Sequence, residues 1–170
     1  MPVRIPPADP AKQKSPIVRR LMQAGVSKPG TWYVKNVSPR IDPILARATK
    51  GRVSSIPVLP ILLLHHVGAK SGQARVTPLV YFTQGDEVVV MASNYGGKKH
   101  PAWFHNVKAN PEVTLQSRGR EGRYRARVPE GEERERLWEL AKRHSIAYSR
   151  YESITDRTIP VVMLSPLDAD

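Results

Sequence analysis

From about residue 58 onward the chain consists largely of short strand-like runs, some continuously apolar, such as 58–64, and some alternating between polar and apolar residues, such as 75–82. Continuous apolar runs are typical of buried β-strands, and alternating runs of strands that show one face to a core and the other to solvent. They predict strands near residues 58–66, 75–83, 87–93, 112–118, 121–128 and 159–164. Pro78 falls inside the second run and, because it lacks an N–H, predicts a bulge or an edge there. Six short strands with helices inserted late favour a small barrel over a doubly wound sheet.

Three helices are predicted among these strands. The first has Pro101 in its first turn and ends at Asn110, which a proline follows. The second covers 130–144, where apolar residues recur at helical spacing. The third is short and carries Tyr148 and Tyr151 on one face, because residues three apart are neighbours on a helix.

The residues before the first strand predict an N-terminal arm. Residues 1–15 contain four prolines and no apolar period, so a loose tail is expected there. Apolar residues at helical spacing predict a short helix within 15–25 and a second one over about 31–49. The predicted organisation is therefore a basic arm at 1–55 and a barrel domain at 56–170.

The net charge of +12 is concentrated in this arm: residues 1–58 hold eleven Lys or Arg against two acids, a net of +9. The arm can be an ordinary solvated helical face or a surface that contacts an anionic membrane. Nucleic acid is a less favoured partner, since zinc-ligand spacing, a basic heptad helix and a base-stacking strand are all missing.

Composition limits the chemistry further. The chain has no cysteine, which excludes disulfides, thiol nucleophiles and thiolate metal sites. The N-terminus lacks an apolar signal-peptide core, and no apolar run approaches the roughly 20 residues that span a bilayer. A cytoplasmic location is therefore expected, with peripheral attachment to the inner face of the membrane as an option for the arm.

A glycine-bearing cationic loop joins the first two strands. Gly68 and Gly72 allow backbone amides to turn toward a ligand, Lys70 and Arg75 supply charge, and Ser71 adds a hydroxyl. The loop is not a Walker phosphate loop, because a strand follows it rather than a helix. It predicts an anion cradle, with a surface hairpin bearing two solvated cations as the alternative.

A second glycine and lysine loop, 94–100, leads into a helix whose free amides favour an anion. If both loops lie together, they form one site for phosphate or carboxylate. Tyr148 and Tyr151 can direct hydroxyls into it, or can simply anchor their helix as half-buried aromatics. Trp103 is expected to serve the core more than to stack on a ligand.

Other catalytic arrangements are not favoured. His65 and His66 face opposite sides of a strand and cannot bind one metal ion together, so no metal site is expected. Ser71 is not in a Gly-x-Ser-x-Gly elbow, and no paired carboxylates suggest glycosidase chemistry.

Four motifs in order give the chain a family resemblance. They are Gly68-x-Lys70-Ser71-Gly72-x-x-Arg75-x-Thr77-Pro78-Leu79; Ala92-Ser93-x-x-Gly96-Gly97-x-Lys99-His100-Pro101-x-Trp103-x-x-Asn106; Asn110-Pro111-x-Val113; and Tyr148-x-x-Tyr151 ahead of Thr155-Asp156-Arg157-x-Ile159-Pro160-Val161. Together they resemble the deazaflavin-dependent nitroreductase family of actinobacteria, over about residues 62–166.

The resemblance implies an α+β fold, a split β-barrel of about six antiparallel strands with flanking helices, that binds coenzyme F-420, an 8-hydroxy-5-deazaflavin with a phosphate and an oligoglutamate tail. It implies phosphate contacts from Lys70, Ser71 and Arg75 and a deazaflavin lying along 77–79. The full implied cofactor-binding set is Gly68, Lys70, Ser71, Gly72, Arg75, Thr77, Pro78, Leu79, Ser93, Asn94, Gly97, Lys99, His100 and Trp103. Two positions depart from the family pattern: Asn94 stands where a lysine is frequent, and Ser145 where an aromatic residue is frequent.

The implied function is hydride transfer from reduced F-420 to a quinone, a nitroaromatic or an activated alkene, a small-molecule acceptor. Tyr148 and Tyr151 are the implied catalytic residues, which hydrogen-bond or protonate the accepting oxygen. Two alternatives stay open: an F-420 carrier without turnover, and an FMN-dependent reductase on the same barrel.

Overall fold

The computed structural model describes residues 4–9 and 59–167, together with the isolated positions 20, 27, 29, 30, 32, 36, 37, 41, 44, 45, 48 and 49. Its strands are β1 (Ile61–Val67), β2 (Ala74–Gln84), β3 (Glu87–Met91), β4 (Glu112–Ser117), β5 (Arg120–Arg127) and β6 (Val161–Pro166). Its helices are α1 (Ala102–Ala109), α2 (Gly131–His144) and α3 (Ile146–Ser153), and a 3-10 turn covers Asn94–Gly96. Each predicted strand and helix of the barrel region is present, with bounds shifted by at most a few residues.

The strands form a closed barrel in the order β1-β2-β3-β6-β5-β4, and every neighbouring pair is antiparallel. The prediction of an antiparallel barrel of about six strands is confirmed. Its interior is filled by alternate strand residues, among them the fully buried Leu62, Leu64, Leu115 and Tyr124. A second apolar cluster packs α2 and α3 against the outside of β3 and β6.

Strand β2 is paired along only part of one edge. It pairs with β1 over 74–80, but with β3 only over 81–84. Pro78 lies opposite Leu63 of β1, within the stretch that has no β3 partner. A proline is tolerated there because its missing N–H faces no ladder. The predicted edge at Pro78 is confirmed, and it leaves 74–80 as an open strand edge, which has no strand partner on the β3 side within the described residues.

Residues 4–9 correct the expectation of a loose tail, because they pack on the barrel. Ile5 is only 4% exposed, and its amide donates to the Tyr124 hydroxyl at 2.9 Å. The Tyr81 hydroxyl donates to the Pro6 carbonyl at 2.9 Å. Both phenols are buried in the barrel core and need hydrogen-bond partners, which the N-terminal backbone supplies.

The arm helices are only partly described. Within the predicted helix at 31–49, the described positions 32, 36, 41, 44, 45, 48 and 49 are helical. The bounds of this helix and of the one predicted within 15–25 lie outside the described residues, and the boundary between 1–55 and 56–170 stays a prediction. Among the described residues, no helix is long and apolar enough to cross a membrane.

Candidate functional site

The strand register brings the two cationic loops to one end of the barrel. Val67 and Ala74 close the β1–β2 loop there, and Met91 pairs with Val161 at the same end. Loops 68–73 and 92–101 therefore share this end with α1, which follows the second loop in sequence and packs on β1. The expectation that both loops contribute to one site is consistent with this placement.

The β1–β2 loop is tightly folded on its glycines. The Gly68 amide donates to the Gln73 carbonyl at 2.9 Å, and the Gly72 amide donates to the Gly68 carbonyl at 2.8 Å. Gly72 has a φ of +65°, which favours glycine, and a Cβ on Gly68 would lie 2.5 Å from Ser71 Oγ. The backbone conformation therefore favours glycine at position 72, whereas a side chain at position 68 would displace the Ser71 hydroxyl.

The side chains of this loop fit an anionic ligand. Lys70, Ser71 and Arg75 are exposed. They present an ammonium, a hydroxyl and a guanidinium, which are the donors that bind phosphate and carboxylate groups. The donor set thus suits the phosphate and acidic tail of a deazaflavin cofactor.

A buried polar chain supports the loop from behind. The Ala69 amide donates to Asn106 Oδ1 at 2.9 Å, and Asn106 Nδ2 lies 3.2 Å from His66 Nδ1. His66 Nε2 lies 3.0 Å from Thr77 Oγ1. Burial, Arg75 and His65, in that order, lower the pKa of His66. Sequence reasoning gave His66 and Asn106 no site role, because Asn106 is 40 residues from His66 and no local pattern links them.

The second loop has an unusual backbone. Asn94, Tyr95 and Gly96 have consecutive positive φ values of 46°, 55° and 74°. Two successive non-glycine residues in the left-handed region are costly, and such strain is kept where the surroundings enforce it. The Asn94 side chain is used inside the loop, where Nδ2 donates to the Lys99 carbonyl at 2.9 Å.

Arg157 fixes this loop from the segment before β6. Its Nε donates to the Gly97 carbonyl at 2.8 Å, and its Nη2 donates to the Ser93 carbonyl at 2.7 Å. Its Nη1 lies 2.9 Å from His100 Nδ1, which must be the acceptor, since a guanidinium only donates. Burial first, then Arg157, lower the pKa of His100. Arg157 lies in one of the family motifs, but the sequence gave no sign of this role.

The predicted catalytic tyrosines form one aromatic row with Tyr95. The ring centroids of Tyr148 and Tyr151 are 6.2 Å apart, as are those of Tyr151 and Tyr95, and both contacts are edge-on. Tyr148 is 7% exposed and packs on Trp138, whereas Tyr151 is half-buried. The structure therefore places Tyr151 beside the second loop and Tyr148 behind it in the core.

Burial makes both phenols weaker acids than an exposed tyrosine. It raises the pKa of Tyr148 far above its ordinary value, and it raises that of Tyr151 to about 12, with Tyr95 adding to the effect. Both hydroxyls stay protonated at neutral pH and can donate hydrogen bonds there. Ser145, where the family often carries an aromatic residue, is buried, and its Oγ caps α3 by accepting from the Ala147 amide at 3.4 Å.

Trp103, in contrast, belongs to the hydrophobic core. It is 6% exposed and packs there, as expected. Within the described residues, no group of three or more His, Asp or Glu side chains is arranged to hold a metal ion. Gly72 and Gly97 can contact a ligand only through their backbone atoms, because glycine has no side chain.

Comparison with known proteins places the chain in one named family. A sequence profile of the family described as F420H(2)-dependent quinone reductase matches residues 39–166. An F420H(2)-dependent quinone reductase of Mycobacterium tuberculosis is 37% identical over 142 residues, which cover 79% of this chain and 95% of the relative.

Two solved structures are also similar. An F420-H2 dependent reductase, FDR-A, is 42% identical with a TM-score of 0.58, and the match covers 62% of this chain and 94% of that one. A structure described as a domain-swapped dimer is 38% identical with a TM-score of 0.60, over 81% of this chain and 100% of that one.

Proposed function

Because the chain belongs to the F420H(2)-dependent quinone reductase family, we propose that the loop-bearing end of its barrel binds reduced coenzyme F-420 and presents it to a quinone. The expected resemblance, reductase function and F-420 cofactor are confirmed at the level of the family. FMN use and storage of F-420 without turnover are less favoured, since the named relatives are F-420-dependent reductases. Bound F-420 supplies a hydride, because carbon replaces the reactive ring nitrogen of a flavin.

The observation that carries the proposal is the exposed cationic loop on its two glycines. We assign the anionic end of the cofactor to Lys70, Ser71 and Arg75. The ammonium and guanidinium flank a hairpin whose backbone is already closed by its own hydrogen bonds, so binding requires little ordering of the loop. Gly68 and Gly72 allow this geometry without side chains that would occupy the cradle.

The open edge of β2 suits a flat ring. Thr77, Pro78 and Leu79 are half-buried on the part of β2 that lacks a β3 partner. We propose that the deazaflavin lies along this edge. Pro78 offers no N–H that would need a partner, and the apolar Leu79 shields the ring from water. His66 Nε2 lies 3.0 Å from Thr77 Oγ1, and with the proton of the neutral ring on Nε2 the threonine accepts, which leaves its own hydroxyl hydrogen available to the cofactor.

The second loop and α3 supply the acceptor side of the site. Loop 94–97 is held by Arg157, and a Cβ on Gly96 would come 3.1 Å from the Tyr151 carbonyl, so this loop packs directly on α3. We propose that Tyr151, protonated and half-buried, donates a hydrogen bond to the quinone oxygen as negative charge develops on it. Tyr148 keeps the Tyr151 ring in place through their edge contact.

The electron acceptor is a small molecule. We further propose that the N-terminal arm has a membrane surface as its partner. The +9 charge of residues 1–58 supports contact between the arm at 1–55 and an anionic membrane surface, where a lipid-soluble quinone would reside. A cytoplasmic location with this peripheral attachment stays a prediction. Nucleic acid remains a disfavoured partner.

Anaerobic mixing tests the proposal. Purified protein is incubated with reduced F-420 and menadione, and the return of oxidised F-420 is followed by absorbance, with reduced FMN in a parallel reaction. We expect enzyme-dependent oxidation of F-420 and none of FMN. Tight F-420 binding without turnover on quinone, nitroaromatic or enone acceptors would favour the carrier, and use of FMN alone would favour the flavin reductase.

A further inference from the structure

We propose that His66 is a positioning residue whose neutral imidazole holds the β1–β2 loop in its anion-binding form, so that protonation of His66 weakens cofactor binding. The inference rests on the proposed function for the identity of the ligand, but not for the coupling itself. His66 and Asn106 are 5% and 8% exposed, and neither carries a role in the reaction assigned above.

The hydrogen bonds of Asn106 fix the orientation of its amide. The Ala69 N–H can only donate, so the atom that it meets at 2.9 Å must be the Asn106 oxygen. The Asn106 nitrogen then faces His66 Nδ1 at 3.2 Å and donates to it. His66 Nδ1 therefore carries a lone pair, and the proton of the neutral ring is on Nε2.

The other side of the ring agrees with this tautomer. His66 Nε2–H donates to Thr77 Oγ1 at 3.0 Å. One buried chain thus runs from Thr77, on the open edge of β2, through His66 and Asn106 to the Ala69 amide at the tip of the cationic loop. It joins the two parts of the site assigned to the ring and to the anionic end of the cofactor.

A protonated His66 does not fit this chain. Its Nδ1–H would meet the Asn106 NH₂ group, so two donors would face each other. Rotation of the amide by half a turn would satisfy His66 but would turn the NH₂ group against the Ala69 N–H. Either arrangement leaves a buried donor without an acceptor, which is costly. The charged state therefore releases the Ala69 anchor.

The electrostatic surroundings also disfavour the charged ring. Arg75 pairs with His66 across β1 and β2, His65 adjoins it on β1, and α1 presents the uncharged Asn106. The pKa of His66 therefore lies below 6.5, the ordinary pKa of a histidine, and the ring becomes protonated only below that pH. If only the neutral form holds the loop, the apparent Kd for F-420 rises up to tenfold for each pH unit below the pKa of His66.

Three variants separate the possibilities. His66→Asn keeps an acceptor near the position of Nδ1 but cannot titrate, so it should hold the loop without pH dependence. Asn106→Leu removes the anchor at every pH. His105→Asn is the matched control, because His105 is exposed on α1 beside Asn106 and contacts only the His100 and Phe104 rings in the described chain.

The first readout uses the protein without cofactor. Nitrogen-resolved NMR should show the Nε2–H tautomer of His66, and the Ala69 amide signal should shift with the same midpoint as the His66 ring. His66→Asn should abolish that shift, and His105→Asn should keep it. An Nδ1–H tautomer, or an Ala69 amide that ignores the titration of His66, would overturn the inference whatever the protein binds.

The second readout is the Kd for oxidised F-420 from about pH 8 down to one pH unit below the midpoint that NMR gives for the His66 ring. Groups on the cofactor titrate too, so the ratio of wild type to His66→Asn is compared, in which that effect cancels. We expect this ratio to grow toward acid and to reach roughly tenfold one pH unit below the midpoint of the His66 titration, and His105→Asn to follow the wild type. A constant ratio would overturn the inference. If no protein binds F-420 at any pH, the proposed function fails, and the NMR titration still decides the coupling.

Discussion

Arg157 follows Gly97 by 60 residues in sequence, yet its Nε donates to the Gly97 carbonyl at 2.8 Å. Further donation to the Ser93 and Ala92 carbonyls makes this guanidinium a clamp on the whole second loop. A charged donor bound to several carbonyls is worth more than a neutral one. The strained loop beside Tyr151 is therefore held by the segment that leads into β6, and the proposed acceptor side of the site depends on this long-range contact.

Replacement of the clamp tests its importance. Arg157→Lys keeps the charge but cannot reach four acceptors with the planar geometry of a guanidinium. We expect a loss of about 1–3 kcal/mol in the free energy of unfolding, measured in urea, and a drop in kcat/KM for menadione. Arg143→Lys, at an exposed position on α2, is the control and should change neither quantity. Wild-type kcat/KM in Arg157→Lys would show that the loop does not need the clamp.

Gly96 offers a test of backbone strain with a matched control. Gly96→Ala places a Cβ 2.7 Å from the Ile154 side chain at a φ of +74°, whereas Gly85→Ala has a similar φ of +60° in open space. In both variants the free energy of unfolding should fall by about 1–2 kcal/mol, because alanine is disfavoured at a positive φ. Only Gly96→Ala should also lose quinone reductase activity, because the Ile154 side chain must move and the loop must shift slightly away from the Tyr151 carbonyl, 3.1 Å from the added Cβ. Equal activity of the two variants in the menadione assay would contradict the packing argument.

Tyr151 and Tyr148 should respond differently to loss of the hydroxyl. Tyr151→Phe removes the donor proposed for the quinone oxygen, so kcat should fall roughly 100-fold while the Kd for F-420 is unchanged. Tyr148→Phe keeps the ring that packs on Trp138 and should retain most activity. The opposite ranking in single-turnover kinetics would transfer the catalytic role to Tyr148.

The tyrosines also limit the pH profile. Since burial raises the pKa of Tyr151 to about 12, its proton is present throughout the neutral range. Up to about pH 10, deprotonation of Tyr151 should therefore cause no decline in the rate of hydride transfer. Wild type and Tyr151→Phe should show the same pH dependence in this range. A decline with a midpoint near pH 8 that disappears in Tyr151→Phe would mean that the phenol is far more acidic than its burial implies.

Acid should destabilise the fold through His144, which is 3% exposed against Phe82. Burial lowers its pKa, with partial compensation from the Tyr81 carbonyl and Asp9. The unfolded state then binds a proton more readily, so the free energy of unfolding falls as the pH drops below about 6.5. Urea unfolding of His144→Phe should show a shallower acid decline than the wild type, and exposed His105→Asn an unchanged one. An identical slope in His144→Phe would exclude this contribution.

Local pattern was sufficient for the barrel. Apolar and alternating runs located each strand of the described domain, Pro78 marked the open edge of β2, and Pro101 marked the start of α1. The cationic loop was visible because its glycines and cations are adjacent in sequence. These features depend on residues within a few positions of each other, where periodicity and turn chemistry are informative.

Contacts between residues that are far apart in the sequence could not be predicted from local pattern. The prolines of residues 4–9 suggested a tail, but the buried hydroxyls of Tyr81 and Tyr124 bind that backbone across more than 70 residues. Arg157 and Asn106 were visible only as members of motifs. Their roles depend on which carbonyl or ring nitrogen the fold places beside them, and no pattern along one strand or helix contains that information.

The affinity for oxidised F-420 of the wild type and of a Lys70→Ala, Arg75→Ala double variant tests the central claim most directly. An Arg136→Ala, Arg143→Ala protein, with the same change in charge on exposed positions of α2, is the control. We predict a rise in Kd of about 100-fold or more in the loop variant, from the loss of two charge-assisted contacts, and little change in the control. Unaltered affinity in the loop variant, with wild-type binding intact, would place the cofactor elsewhere and contradict the account.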